Sequence, residues 1–241
     1  MEVRKPRFLD GVRTLVALGV ILPGALAGAW TAIRTRDRRR AFNRAVALWG
    51  AWGTRAAGID LRIQGAEFLD VRPAVFVINH QSGVDPILVC ALLKRDFVGV
   101  AKAELRRNPV LGPAFALAGT IFLDRGDGPS AHKRLETGLK ILAQGVAVAI
   151  APEGTRSPGA RLGDFKTGGF RLAAAAGVPV IPVVIRDAGK ILPPGGFIMR
   201  AGKVRVSVEP PISTVDWDLE SIHDHSASVQ AVFESALARA R

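Results

Sequence analysis

At 241 residues, 49% apolar and 22% charged, the chain is long enough for one domain with an appendage and too hydrophobic to be disordered. Its net charge of +12 is uneven: twelve cations and four anions fall between Met1 and Arg62, which puts eight of the net positive charges in the first quarter. Such clustering calls for a polyanionic partner, whether a membrane surface, a phosphorylated substrate or nucleic acid.

Thr14 to Ile33, TLVALGVILPGALAGAWTAI, carries no charge and is about the length that spans a bilayer. A basic leader precedes it, as in a signal peptide, but basic residues follow at once and no disulfide framework does. The pattern predicts a membrane-associated segment, either spanning or bent at Pro23-Gly24 within one leaflet. Arginines at both ends leave its orientation open. Ala41 to Gly58 predicts a second helix with Phe42, Ala45, Val46, Leu48, Trp49 and Trp52 on one face. That face suits the lipid interface and packing on the main domain equally. Residues 1–58 are read as membrane-associated helices and 59–241 as a separate α/β unit.

From Ile59 strands and helices alternate. Ile59 to Gln64 and Ala74 to Ile78 read as strands, and Pro86 opens a helix behind Asp85 as a capping residue. Phe97 to Ala101 is a strand, Glu104 to Leu117 a helix broken at Asn108-Pro109, and Thr120 to Leu123 a short strand. Ser130 to Ala143 is a helix and Val146 to Ile150 a buried strand. Lys166 to Ala176 is a helix ended by Gly177. Val180 to Ile185 and Val204 to Val208 are strands, and Val229 to Leu237 is the last helix. This alternation predicts an α/β fold, a mixed, largely parallel sheet covered by helices. The lone Cys90 excludes an internal disulfide, suits a reducing compartment and reads as core filler.

Polar residues gather at the strand ends, where open α/β sheets form their ligand crevice. His80 lies in the turn after Ala74 to Ile78, with Asp85 five residues on. A short loop lets the carboxylate reach one imidazole nitrogen and leaves the other outward as a base. Alone, that pair reads as well as a helix cap beside a loop histidine. Other strand ends add to it: Lys102, then Asp124-Arg125-Gly126, then Pro152-Glu153-Gly154-Thr155-Arg156-Ser157. Arg125 and Arg156 can grip a phosphate by paired hydrogen bonds, and Lys102 adds a point charge. Gly154 permits close backbone approach, and Thr155 offers a hydroxyl and a backbone N–H. His132 reads as an exposed residue at a helix start, and His223-Asp224-His225 as a solvated turn before the last helix. No metal site is expected.

Asn79-His80-Gln81-Ser82-Gly83-Val84-Asp85-Pro86 resembles the first motif of the glycerolipid acyltransferases. Gly119 to Arg125, Pro152 to Ser157 and Val178 to Val183 resemble the second, third and fourth motifs, in order and in register. Phe165-Lys166-x-Gly168 resembles an element that follows the third. Ala151 departs from the Phe common there, which bears on packing alone. The lysophosphatidic acid (1-acylglycerol-3-phosphate) acyltransferases are the group most similar.

The resemblance implies transfer of a fatty acyl chain from a thioester, acyl-CoA or acyl-ACP, to the sn-2 hydroxyl of lysophosphatidic acid, giving phosphatidic acid. It implies His80 as general base and Asp85 as the group that fixes its tautomer. Direct transfer without an acyl-enzyme follows, since no Ser or Cys nucleophile is required. Gly154, Thr155 and Arg156, with Arg125, hold the acceptor phosphate, with Glu153 orienting the loop of the first three; the charge of Lys102 is read from its place at a strand end. Backbone N–H groups near Asp85 are candidate oxyanion donors. No cofactor is implied. The expected location is the cell membrane, with the active site on the cytoplasmic side. Glycerol-3-phosphate or a lyso-amino-lipid stays open as acceptor, as does a non-catalytic protein on an anionic membrane. Nucleic acid is not expected, because the aromatic residues do not interleave with the cations.

Overall fold

The apolar run before His80 forms the middle strand of a seven-stranded sheet. The computed structural model describes residues 5–107, 120–123, 129–157 and 162–239. The strands are β1 (Ile59–Gln64), β2 (Val75–Ile78), β3 (Phe97–Lys102), β4 (Ile121–Leu123), β5 (Ala147–Ile150), β6 (Val180–Arg186) and β7 (Gly202–Val208), in the order β1-β7-β6-β2-β5-β3-β4. From β6 to β4 all neighbours run parallel. β7 is antiparallel to β6 and parallel to β1. The sheet is therefore mixed and largely parallel, as the alternation predicts.

Helices cover both faces. Phe76 and Ile78 of β2, Ala147 and Ala149 of β5, and Ile181, Val183 and Ile185 of β6 point to one core. It is shared with α3 (Arg38–Ala56) and α4 (Asp85–Leu93). Val75, Val77, Val148, Val180 and Val184 point to the other core, formed with α5 (Pro129–Ala143), α6 (Gly168–Ala176) and α8 (Ile222–Ala238). Burial on both faces is why these strands read as unbroken apolar runs rather than alternating ones. Val178 to Ile185 is accordingly core.

The N-terminal apolar stretch forms two helices, α1 (Phe8–Gly19) and α2 (Ile21–Thr35), parted at Val20 rather than at Pro23-Gly24. α1 is tied to the main body: Ala17 is in the core, and Thr14 Oγ1 accepts the Met199 N–H at 2.8 Å. α2 folds back on α3, turning at Arg36 in the left-handed region, with Asp37 capping α3. Gly24 and Gly28 face Ala41 and Ala45; a Cβ on Gly28 would stand 2.8 Å from the Ala41 carbonyl oxygen. Small residues let the two backbones meet. α3 in turn packs on the main domain: Val46 is in the core, Phe42 lies against Phe97, and Asn43 Nδ2 donates to Asp96. Trp52 alone of the predicted stripe stays well exposed. The outer face of α1 and α2 leaves Phe8, Leu15, Leu22, Leu26, Trp30 and Ile33 exposed.

Several element bounds differ from the sequence reading. Asp85 is not the cap of α4; it is the first helical residue, behind Val84. α6 begins at Gly168, and the Lys166 N–H ahead of it donates to the Pro152 carbonyl at 2.9 Å. α8 begins at Ile222, so His223-Asp224-His225 lies in its first turn and not in a solvated turn before it. His225 stacks on Trp217, 4.6 Å between ring centroids, which anchors that turn. The 3₁₀ turn Ala66–Asp70 and α7 (Ala188–Ile191) lie between the predicted elements. Of the helix expected over Glu104 to Leu117, the 3₁₀ turn Ala103–Arg107 is described, and 108–119 lie outside the described residues.

Candidate active site

Parallel strands deliver their C-terminal ends to one edge of the sheet. β2 brings His80, β5 the Glu153 loop and β3 Lys102 to that edge, with β4 beside them. Asp124 and Arg125, which follow β4, lie outside the described residues. The crossover topology thus gathers groups that stand far apart along the chain.

His80 Nδ1 lies 2.5 Å from Asp85 Oδ2, and its ring is partly open to solvent. The same oxygen accepts the backbone N–H groups of Gln81 and Ser82, each at 2.9 Å. Asp85 is 4% exposed. Three contacts converge on one buried oxygen and hold the imidazole with Nδ1 toward Asp85 and Nε2 away from it. Nε2 makes no hydrogen bond with any described residue. The sequence makes this geometry by placing Asp at the first position of α4, from which its side chain turns back over the short loop.

Glu153 is buried and does not reach outward. Its Oε1 accepts the His80 N–H at 2.9 Å and its Oε2 accepts the Gly163 N–H at 3.0 Å. From the other side the His80 carbonyl accepts the Ser157 N–H at 2.8 Å. The 153–157 loop is therefore clasped to the backbone of His80 at both ends. Oε1 thus joins the loop to His80 and Oε2 joins it to Gly163, so both carboxylate oxygens are taken by backbone N–H groups.

Gly154, Thr155 and Arg156 are exposed on the turn that results. Gly154 has φ +67°, a left-handed conformation that glycine adopts without steric cost. A Cβ there would meet Lys166 Nζ at 3.2 Å. Arg156 pairs with no carboxylate among the described residues. Lys102 is half-buried at the last position of β3. The result is one sheet edge with a partly exposed imidazole and, on the neighbouring strand ends, cations that no described carboxylate neutralises, suited to an acidic group beside a hydroxyl.

Other groups are spoken for. The Ser82 hydroxyl donates to the Leu192 carbonyl at 2.7 Å and is fully buried. Burial pushes the Cys90 thiol up to about 12. Neither is an available nucleophile. Of the N–H groups expected as oxyanion donors near Asp85, those of Gln81 and Ser82 are already bound to its carboxylate, because the loop turns inward. That of Gly83 makes no hydrogen bond to a described residue and is the better candidate. No group of three or more His, Cys, Asp or Glu suited to a metal occurs among the described residues.

Three supporting residues had no role in the sequence reading. Asn79 Nδ2 donates to the Ile185 carbonyl at 2.9 Å and its Oδ1 accepts the Ile185 N–H at 2.7 Å, which pins β2 to β6 beyond their last shared register. Ser82 ties the His80 loop to Leu192 after α7. Lys166 lies over Gly154. The signal for Asn79 and Ser82 was their place beside His80, a polar pair buried within an apolar strand end.

Residues 60–186 match the family described as Acyltransferase. The chain is 30% identical over 221 residues to the 1-acyl-sn-glycerol-3-phosphate acyltransferase of Limnanthes douglasii, a match covering 91% of this chain and 76% of that one. It is 35% identical over 161 residues to the protein of the same name from Pseudomonas aeruginosa, covering 66% and 62%. The fold is similar to the crystal structure of the 1-acyl-sn-glycerophosphate (LPA) acyltransferase of Thermotoga maritima, with TM-score 0.73, 26% identity, and coverage of 96% of this chain and 98% of that one.

Proposed function

This chain belongs to the acyltransferase family, with the 1-acyl-sn-glycerol-3-phosphate acyltransferases among its relatives, and on that premise we propose that it acylates the sn-2 hydroxyl of lysophosphatidic acid with His80 as base. Its outward Nε2 removes the hydroxyl proton as that oxygen attacks the thioester carbonyl carbon. Asp85 stabilises the imidazolium that forms. The tetrahedral intermediate then expels the thiolate by breaking the C–S bond, and the imidazolium returns its proton to the sulfur. The products are phosphatidic acid and a free thiol.

Arg156 and Lys102, with Arg125, hold the acceptor phosphate, and the left-handed turn at Gly154 presents the Thr155 and Arg156 N–H groups to it. Glu153 acts as a positioning residue through the backbone of His80. The donor is an acyl thioester, coenzyme A or acyl carrier protein being the carrier. Residues 1–58 dock the protein on the cell membrane with the His80 edge on the cytoplasmic side, where such thioesters are made. The exposed row from Phe8 to Ile33 lies on helices packed against the domain, which favours immersion in one leaflet over a span.

The observation that carries this reading is the Nδ1 contact of His80 with Asp85, which leaves Nε2 open on the same edge as Arg156. Purified protein is to be given one acyl thioester on each carrier and a panel of lysophosphatidic acid, glycerol-3-phosphate and a lyso-amino-lipid, with products read by mass spectrometry. Phosphatidic acid formation that is lost in His80→Ala is expected. Equal turnover by that variant, or acylation of another acceptor in preference, would overturn the assignment.

A further inference from the structure

A second apolar patch lies apart from α1 and α2, on the segment between α7 and β7. It reads Leu192-Pro193-Pro194-Gly195-Gly196-Phe197-Ile198-Met199-Arg200. Its two ends are fixed. The Leu192 carbonyl accepts the Ser82 hydroxyl at 2.7 Å, two residues from His80. The Met199 side chain is buried, and its N–H donates to Thr14 of α1 at 2.8 Å. Between these anchors a turn closes from the Gly196 N–H to the Pro193 carbonyl at 2.9 Å. Just past it, Phe197 is 88% exposed and Ile198 37%.

One exposed aromatic side chain is ordinary. Its position is what matters here. β6 runs parallel to β2, so the segment leaves the sheet at the edge that carries His80. One anchor is α1, whose Phe8 and Leu15 are also exposed. Two prolines restrict the backbone, so little conformational freedom remains to be lost when the turn is immobilised.

We propose that the 193–198 loop is a second bilayer contact, in which Phe197 and Ile198 enter the same leaflet as α1 and seat the His80 edge against the membrane. The proposal rests on the reading that α1 and α2 dock on a lipid surface. The occupant is a leaflet because the loop ends on Met199, hydrogen-bonded to Thr14 next to the exposed Leu15 of α1, and because the positive charge gathered in the first quarter of the chain suits anionic headgroups. Through Leu192 and Ser82, insertion of the loop bears directly on the turn that holds His80 and Asp85.

The test uses the full chain and vesicles of phosphatidylcholine with phosphatidylglycerol. Cys90 is buried, so a cysteine placed at the surface is labelled selectively. Phe197→Cys, Leu15→Cys and Val215→Cys each carry an environment-sensitive fluorophore. Val215, 76% exposed, follows the bridge from Ile212 to the first residue of β6 and so lies at the opposite edge of the sheet. Expected on adding vesicles are a blue shift at 197 and at 15, quenching of both by lipids with nitroxides on their chains, and no change at 215. A water-like probe at 197 beside a responding probe at 15 overturns the loop contact alone. Silence at both positions overturns the loop contact and the membrane reading of α1 together. The double variant Phe197→Ser, Ile198→Ser is expected to weaken vesicle binding about tenfold or more; unchanged binding overturns the proposal.

Discussion

The Glu153 carboxylate accepts the backbone N–H of His80 across 73 residues of chain, at 2.9 Å. The proposed base and the proposed phosphate turn are thereby one rigid unit, since Ser157 returns a hydrogen bond to the His80 carbonyl. An inward carboxylate of this kind fixes distance between two functional groups without touching a substrate. Glu153→Ala is expected to lower kcat at least tenfold while leaving the acceptor KM near its wild-type value. It also removes two charge-assisted bonds, each worth about 1.5–3 kcal/mol, so stability falls as well. Steady-state kinetics over an acceptor series, with a denaturant titration, check both. A rise confined to acceptor KM would mean that the carboxylate contacts substrate after all.

Asp85→Asn tests the orientation of the imidazole. The amide keeps an acceptor oxygen for these contacts but loses the negative charge that would stabilise the imidazolium. A loss of about 10²–10⁴ in kcat is expected, close to that of His80→Ala, with acceptor KM little changed. The double variant is expected to lose little more than either single one, because the pair acts as a unit.

Arg156→Ala is expected to raise the acceptor KM with a small effect on kcat and none on the thioester KM. Its side chain is exposed and makes no ion pair with a described residue, so the thermal transition stays in place. Arg156→Lys is expected to recover part of the loss, because a point charge replaces the paired hydrogen bonds of the guanidinium.

Gly50→Ala probes the contact that seats α3 on α4. A Cβ at this position would lie 2.3 Å from the Ala91 backbone nitrogen, and backbone has no rotamer by which to yield. Destabilisation of about 1–3 kcal/mol or more is expected in a denaturant titration. Gly11→Ala, with nothing within 4 Å of the added atom, serves as the control and is expected to be neutral or slightly stabilising.

Asp187 follows β6 at φ +67°, bonded to Lys190 and Arg205 at 2.8 Å each. Burial alone would raise its pKa, but those two partners outweigh burial and hold it below the ordinary carboxylate range. Its contribution to stability is therefore present above the unfolded value of 3.8 and lost as pH falls through the lower folded value. Asp187→Asn keeps a residue tolerant of that backbone conformation. It is expected to cost about 1 kcal/mol or less at neutral pH, since both partners are half-exposed. The gap from wild type is expected to close as the titration is carried to acid pH. A gap that persists there would mean that shape, not charge, is what the site requires.

Much was legible without coordinates. The doubly buried strands announce themselves as short β-branched runs, and Pro86 marks a helix start whatever surrounds it, because both signals are local. His80 and Asp85 lie within one turn of each other, so their pairing follows from a five-residue spacing. Glu153 and Asn79 are different. Each accepts or donates at a backbone group 73 or 106 residues away, and a side chain that binds backbone leaves no mark on the residue it meets. The same holds for the stripe on α3, whose periodicity fits lipid and core equally until Gly50 is seen against Ala91. Sequence by itself determined which elements form and which groups carry charge, through local propensity and hydrophobic period. Only the tertiary structure decided which of those groups share an edge and which are spent inward, because crossover connections set contacts between residues that no spacing relates.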